Sequence, residues 1–286
     1  MTKLSFRPRR SCLYMPGANE RALEKARTLA ADVLIFDLED AVAPREKPNA
    51  REQVAAAVKA GGYGARETVI RVNGADTEWG ADDIAMVKTV KPDGVLLPKI
   101  SKAEDIDFGA ATKIPVWAMI ETPLAILNIG EIAASKKLSA LVMGTNDLAK
   151  EMQAKIRPQR SAFETALSLT VMAARAHGKI VIDGVYNSIS DEAGLASECE
   201  QGREFGFDGK TLIHPDQLEA ANRIFAPSRS ALDDAKAIIA AFAEPENEGK
   251  GVIDLDGTMV ERLHLAEAEG LVAMADAIAA REEADT

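Results

Sequence analysis

Eight short apolar runs alternate with longer Ala-rich amphipathic stretches over the first 225 residues. The runs occupy 11–15, 32–37, 68–72, 94–98, 116–120, 140–143, 180–183 and 210–213. Continuous runs of this length are typical of parallel strands that are buried on both faces. The helical patterns between them occupy 20–31, 48–60, 82–90, 103–111, 124–134, 161–176, 191–206 and 215–225. Eight such units predict an α/β fold, a (β/α)8 TIM barrel over residues 1–225. A doubly wound open sheet is the alternative, but no Gly-rich first turn supports it.

The remaining residues, 226–286, have a different pattern. They contain a helical stretch at 230–243, a Gly/Pro/Glu-rich segment, the sequence VIDLDGTMVE and a second helix. Because this segment lies outside the eight units, it predicts a C-terminal helical extension with a loop between its two helices. In an oligomer such an extension is expected to reach a neighbouring subunit.

Charge and cysteine content exclude several classes of function. The 286 residues include 34 Lys+Arg and 45 Asp+Glu, a formal net charge of −11. An acidic chain is repelled by nucleic acid and by anionic membranes, so neither is an expected partner. The two cysteines are too few for a thiolate metal site. The sequence shows no secretory signal and no apolar stretch long enough for a membrane span, so a cytoplasmic location is expected.

Ionisable residues follow nearly every predicted strand. Carboxyl ends of barrel strands meet at one rim, where barrel active sites lie, so these side chains predict an active site. The rim set consists of Glu39, Asp40, Arg71, Lys99, Glu121, Asp147, Asp183 and His214. The alternative is that polar residues form ordinary turns, which explains Asp183 and His214 but not Arg71 or Glu121.

Two carboxylates of neighbouring units suggest a divalent cation. Glu121 and Asp147 offer oxygen ligands, and Asp40 adds a third, directly or through water. Oxygen ligands without Cys or His favour Mg²⁺ or Mn²⁺ over Zn²⁺. The alternative is that Glu121 and Asp147 cap the helices that follow them.

Three further rim residues have competing interpretations. The planar guanidinium of Arg71 suits the carboxylate of a keto or hydroxy acid, and its alternative is an ion pair with Glu39 or Asp40. Lys99 could form a Schiff base, although the carboxylate cluster favours metal stabilisation of an enolate. A lone histidine such as His214 is more often structural than catalytic.

Several segments together resemble the citrate lyase beta-subunit-like enzymes of the HpcH/HpaI aldolase family, which include malyl-CoA and citramalyl-CoA lyases. The matching segments are RSCLYMPGANERALEKA, VLIFDLEDAVAPREKPNAR, VIRVNG, GVLLPKI, IETPLAILNI, GTNDLAKE, GFDGKTLIHPDQ and GKGVIDLDGTMVE. They cover nearly the whole chain in the family's order.

The resemblance implies roles for individual residues. Glu121 and Asp147 are expected to bind Mg²⁺, Arg71 the 2-keto acid, and Asp40 to lie in the outer shell of the metal. In the extension, relatives carry Asp where this chain has Glu261 as the acid/base, and Asp256 is a nearby substitute. The resemblance also implies a homotrimer or hexamer.

The resemblance further implies a substrate and a reaction. Coenzyme A is expected as part of the substrate, with Arg45 and Lys47 near its phosphates; a solvated helix face is the alternative. The first expectation is a Mg²⁺-dependent carbon–carbon lyase that cleaves a 3-hydroxyacyl-CoA into acetyl-CoA and a 2-keto acid. One alternative is a citrate lyase beta subunit acting on a thioester of an acyl carrier protein. The other is a malate synthase or malyl-CoA thioesterase.

Overall fold

A computed structural model of the protein describes residues 7–284. Positions 1–6 and 285–286, which the predicted barrel and extension include, lie outside the described residues. The chain divides into two compact units, one of which spans Arg9–Phe225 while the other is made chiefly of the residues from Ala226 onward. Among the helices of residues 7–284, none combines the length and the apolar character that a membrane crossing requires.

Eight parallel strands of the first unit close into a barrel in chain order, which confirms the predicted TIM barrel. The strands are β1 (Ser11–Pro16), β2 (Val33–Asp37), β3 (Glu67–Arg71), β4 (Gly94–Leu97), β5 (Val116–Ile120), β6 (Leu138–Met143), β7 (Ile180–Asp183) and β8 (Gly209–Leu212). The ring closes where β8 pairs with β1, with Cys12 opposite Thr211.

Helices and short 3-10 turns connect the strands. The helices are α1 (Glu20–Lys25), α2 (Lys47–Ala60), α3 (Gly80–Val90), α4 (Asp107–Ala110), α5 (Pro123–Leu127), α6 (Ile129–Ala134), α7 (Thr145–Glu151), α8 (Glu164–Ala176), α9 (Glu192–Phe205) and α10 (Leu218–Ile224). The single helix predicted for 124–134 is wrong, because Asn128 separates α5 from α6 with φ −101° and ψ 10°. The side-chain amide of Asn128 donates to the carbonyl oxygen of Ser101 (2.9 Å), which anchors this break.

Alternation along each strand separates two apolar layers. The barrel interior is filled by side chains such as Cys12, Ile35, Val69 and Trp117. Their sequence neighbours, for example Leu34 beneath the helices, form the outer layer. Two residues beyond the last interior side chains, the same alternation turns polar side chains inward at the carboxyl end of the barrel.

A buried charge network lies at the end of β7. Lys210 Nζ donates to Asp183 Oδ2 (3.0 Å) and to Glu198 Oε1 (2.7 Å), and Arg160 Nη1 donates to Asp183 Oδ1 (2.7 Å). Asp183 and Lys210 are register partners on β7 and β8. The network ties these two strands to α9, which carries Glu198.

The second unit contains α11 (Arg229–Ala243), β9 (Val252–Leu255), β10 (Thr258–Glu261) and α12 (Arg262–Ala284). The expected loop between its helices is wrong, because VIDLDGTMVE forms an antiparallel hairpin with Thr258 opposite Leu255. The two turn residues, Asp256 and Gly257, have φ 51° and 80°. An Asp-Gly pair suits this left-handed turn, so the hairpin signal was present in the sequence.

We expect Lys210→Met to lower the free energy of unfolding by about 3–5 kcal/mol, because it leaves the buried carboxylates of Asp183 and Glu198 short of a positive partner. Urea unfolding followed by circular dichroism measures the change. Lys137→Met is the matched control, since Lys137 pairs with Asp107 at the exposed surface (2.7 Å). Its cost should stay below about 1 kcal/mol. Equal effects of the two substitutions would contradict a stabilising buried network.

Candidate active site at the carboxyl end of the barrel

A cavity of about 300 Å³ opens at the carboxyl ends of the barrel strands. Its ionisable lining residues are Asp37, Asp40, Arg71, Glu121 and Asp147. Its apolar lining comes from Met119, Met143, Val185 and Ile213. Four of the eight predicted rim residues therefore meet in one cavity, as expected from their common place after the strands.

The Arg71 guanidinium is held by a residue that the sequence analysis did not single out. Arg71 Nε and Nη2 donate to the two carboxylate oxygens of Asp37 at 2.7 and 2.6 Å. Both residues are buried. Asp37 ends an apolar run two residues after the inward-facing Ile35, and this spacing was the only signal of its role.

The remaining side of the guanidinium faces two more acidic residues. Arg71 Nη1 lies 3.1 Å from Glu39 Oε2 and 3.6 Å from Asp40 Oδ2, so the predicted alternative ion pair is present as well. Burial raises the pKa of Glu39 to about 7, although the charge of Arg71 opposes this shift. Asp40 is more than half exposed at the cavity edge.

Glu121 follows β5, and its carboxylate is held by a backbone amide. The N–H of Lys99 donates to Glu121 Oε1 at 2.7 Å, and Lys99 has the left-handed φ of 52°. The N-cap of α5 is Thr122, whose side chain accepts from the N–H of Ala125. Glu121 is therefore not the helix cap, and its buried carboxylate faces the cavity instead.

Asp147 lies in the first turn of α7 and also lines the cavity. The residue before this helix is Gly144, and no side chain caps α7. A Cβ atom on Gly144 would lie 2.5 Å from Glu121 Oε2. The glycine therefore leaves the space that the Glu121 carboxylate occupies.

The donor set fits a hard divalent cation. In the described part of the chain, no group of three His, Cys, Asp or Glu side chains is arranged to hold a metal. Mg²⁺ binds through one or two carboxylates and takes its other oxygens from water or substrate. Glu121 and Asp147 meet that requirement, whereas a metal that needs a complete protein cage does not fit.

The two cations expected near coenzyme A have different environments. Lys47 is buried, and its ammonium donates to the carbonyl oxygens of Leu38 and Glu39 (both 2.9 Å) and to Asn73 Oδ1 (2.6 Å). Because these bonds use all three protons, Lys47 ties α2 to the loop after β2. The side chain of Arg45 is 88% exposed and can meet a ligand.

The other rim residues have structural contacts. The Asp183 carboxylate belongs to the buried network with Lys210 and Arg160. His214 accepts from the N–H of Asp216 (3.3 Å) as the cap of a 3-10 turn, Pro215–Gln217. Lys99 Nζ lies 3.4 Å from Glu39 Oε1 beside the cavity.

The predicted acid/base residues lie in the hairpin of the second unit. Glu261 is the last residue of β10, opposite Val252, and its N–H donates to His264 Nδ1 (2.9 Å). Asp256 occupies the exposed turn. The geometry of the hairpin explains why an Asp stands there, and the catalytic roles of both residues stay predictions.

Comparison with known proteins finds relatives that match nearly the whole chain. Residues 10–215 match the family model described as HpcH/HpaI aldolase/citrate lyase. The chain is 54% identical over 275 residues to a (3S)-malyl-CoA thioesterase of Cereibacter sphaeroides, with 96% of each chain covered. It is 35% identical over 291 residues to citrate lyase subunit beta of Escherichia coli, covering 97% of this chain and 96% of the relative.

Solved structures from Mycobacterium tuberculosis share the fold. Protein CitE in complex with magnesium, acetoacetate and coenzyme A has a TM-score of 0.78 at 28% identity, covering 93% of this chain and 97% of the other. A citrate lyase beta subunit complexed with oxaloacetate and magnesium has a TM-score of 0.70 at 28% identity, covering 79% and 100%.

We expect Gly144→Ala to weaken binding of Mn²⁺, used as a probe for Mg²⁺, by about tenfold or more, because the added methyl group displaces the Glu121 carboxylate. Isothermal titration calorimetry measures the affinity. Gly130→Ala in α6 is the matched control, since nothing lies within 4 Å of its added Cβ. Unchanged Mn²⁺ affinity in Gly144→Ala would contradict the assignment of Glu121 as a ligand.

Divalent cation binding should depend on pH through Glu121. Burial raises the pKa of this carboxyl to about 7, and the hydrogen bond from the Lys99 N–H, which lowers the pKa, is the smaller effect. Because a cation binds the deprotonated form, affinity should fall by up to about tenfold per pH unit below pH 7 and level off above about pH 8. Calorimetry across this range checks the profile. An affinity that does not change between about pH 6 and 8 would count against it.

Proposed function

The chain belongs to the HpcH/HpaI aldolase/citrate lyase family, and from this premise we propose that it is a Mg²⁺-dependent enzyme acting on a small hydroxyacyl-CoA thioester. The proposed substrate is (3S)-malyl-CoA, and the proposed reaction is hydrolysis to malate and free CoA. Water adds across the thioester: the C–S bond breaks, the acyl carbon gains a hydroxyl group, and CoA leaves as the thiol.

One observation carries the proposal: Glu121, Asp147 and Arg71 line a single cavity at the end of the barrel where barrel enzymes place their active sites. The choice of reaction rests on the comparisons. Carbon–carbon cleavage was the first expectation from the sequence, whereas the 54% identity to a thioesterase favours the hydrolytic alternative.

Different residues are proposed to bind the acid end of the substrate, the cation and the CoA phosphates. Arg71, fixed by Asp37, presents a positive charge to the acid end of the substrate. The Lys99 amide fixes Glu121, which with Asp147 would hold the cation. A bound Mg²⁺ supplies a Lewis acid that polarises substrate oxygens. Arg45 is the proposed contact for the CoA phosphates.

A second candidate is the lyase reaction. It is favoured by the 35% identity to citrate lyase subunit beta along nearly the whole chain. Cleavage of the C–C bond of malyl-CoA gives acetyl-CoA and glyoxylate, and the enolate carbon must gain a proton. Glu261, or Asp256 in its place, is the proposed donor, supplied by a neighbouring subunit of a homotrimer or hexamer. A thioester on an acyl carrier protein is the third substrate to test.

We expect purified protein with Mg²⁺ to convert malyl-CoA to malate and free CoA, without glyoxylate. Chromatography of the CoA esters with a trap for glyoxylate separates the two reactions. Glu121→Gln and Asp147→Asn should lower turnover by roughly a hundredfold or more, because each removes a charged ligand of the cation. Glu131→Gln, on the exposed face of α6, is the control and should match the parent protein.

Two outcomes contradict the proposal. Equal release of acetyl-CoA and glyoxylate would replace the hydrolase by the lyase, and a test with citramalyl-CoA, citryl-CoA and a citryl acyl carrier protein would then define the substrate. Full turnover in excess EDTA, or in Glu121→Gln, would remove the metal from the mechanism.

A further inference from the structure

Tyr14 lies on β1 at the floor of the cavity. It is two residues after Cys12 and shares the interior face of the barrel with it. It is one of the residues that line the cavity. In the sequence Tyr14 carries no functional signal, because a Tyr in an apolar run is ordinary core composition.

The Tyr14 ring packs against the guanidinium of Arg71. The distance from Arg71 Cζ to the ring centroid is 4.8 Å. Because Asp37 holds Arg71 from another side, the ring and the guanidinium have fixed positions relative to each other. Tyr14 therefore places its hydroxyl at a defined point near the residue proposed to bind the acid.

The Tyr14 hydroxyl has a weak partner. Among the described residues its one hydrogen bond goes to Met119 Sδ, at 3.5 Å. A thioether sulfur is a poor acceptor, so a ligand oxygen in the cavity would be a better partner for this hydroxyl. Burial raises the pKa of Tyr14 far above its ordinary value, so the group keeps its proton and acts as a donor rather than a base.

Most N–H groups of Arg71, the residue proposed to bind the acid, already face protein carboxylates. Asp37 uses two N–H positions of Arg71, and Glu39 lies 3.1 Å from Nη1. Few of the five N–H positions of Arg71 are therefore left for a ligand oxygen in the cavity, and a second donor beside Arg71 would strengthen its binding. The hydroxyl of Tyr14, beside Arg71 and bonded only to a sulfur within the described chain, is suited to that role.

We propose that the Tyr14 hydroxyl donates a hydrogen bond to an oxygen of the small acid bound in the cavity, leaving Met119 Sδ for this stronger acceptor. Tyr14 is thus a substrate-binding residue that selects acids carrying an oxygen next to Arg71. The inference rests on the proposed function only in taking this cavity as the site of the acid, whichever bond of the thioester reacts.

The test is Tyr14→Phe, which removes one oxygen atom and keeps the ring against Arg71. Calorimetry with oxaloacetate in saturating Mg²⁺ measures the affinity for a small acid, and steady-state kinetics gives KM and kcat for malyl-CoA. We expect the dissociation constant for oxaloacetate and the KM to rise by about 10- to 100-fold, the range for a hydrogen bond to a charged or partly charged group. The affinity for Mg²⁺ alone should not change.

Tyr63→Phe is the matched control. The Tyr63 hydroxyl is buried and donates to the carbonyl oxygen of Leu23 (3.4 Å), outside the cavity. Its removal should leave oxaloacetate affinity and KM as in the parent protein. Urea unfolding of both variants tests whether each keeps the parent stability.

The outcomes separate this inference from the proposed function. Weaker oxaloacetate binding in Tyr14→Phe supports the inference even when the parent protein hydrolyses no thioester. Active parent protein with unchanged oxaloacetate affinity and KM in Tyr14→Phe overturns the inference and leaves the function intact. The inference is also overturned if the parent protein does not bind oxaloacetate. It is overturned as well if Tyr14→Phe lowers the affinity for Mg²⁺ as much as the affinity for oxaloacetate.

Discussion

The ion pair between Asp37 and Arg71 organises the carboxyl end of the barrel. The two residues are register partners on β2 and β3, so strand pairing itself brings their side chains together. Arg71 then positions the Tyr14 ring and faces Glu39 and Asp40. A shift of one residue in the pairing of β2 with β3 would turn one of the two charges toward the helices. The site therefore depends on the register of the backbone hydrogen bonds that join β2 to β3.

The barrel uses register-paired opposite charges a second time, with a different result. Asp183 and Lys210 are also partners on neighbouring strands, but their side chains join the helix layer and meet Glu198 on α9. Asp37 and Arg71 instead turn inward and border a cavity. A paired charge on the outer face of the strands thus holds a helix in place, whereas one on the inner face lies in the cavity. Asp183 was placed among the candidate active-site residues because it follows a strand, whereas its carboxylate belongs to the buried network outside the barrel.

The sequence predicted the barrel well because strands buried on both faces appear as continuous apolar runs, a property of local composition. The cavity residues Arg71, Glu121 and Asp147 were predictable from their place after such runs. Asp37 and Tyr14 were not, since their roles depend on partners on other strands and on one face of an alternation. Lys47 was misjudged in the opposite direction. Its charge suggested a contact with phosphate, whereas its three hydrogen bonds go to groups after β2 and β3 whose positions cannot be read from the sequence.

The left-handed backbone at Lys99 restricts which side chains this position accepts by their shape and not by their chemistry. The contact with Glu121 comes from the main-chain N–H, so no particular side-chain chemistry is needed for it. A φ of 52° is strained for residues with a branched Cβ and relaxed for Gly or Asn. Replacement of Lys99 by Val, Ile or Thr should thus strain the backbone that holds Glu121, whereas Gly or Asn at this position should keep the contact. A comparison of side chains alone would overlook its contribution to the site.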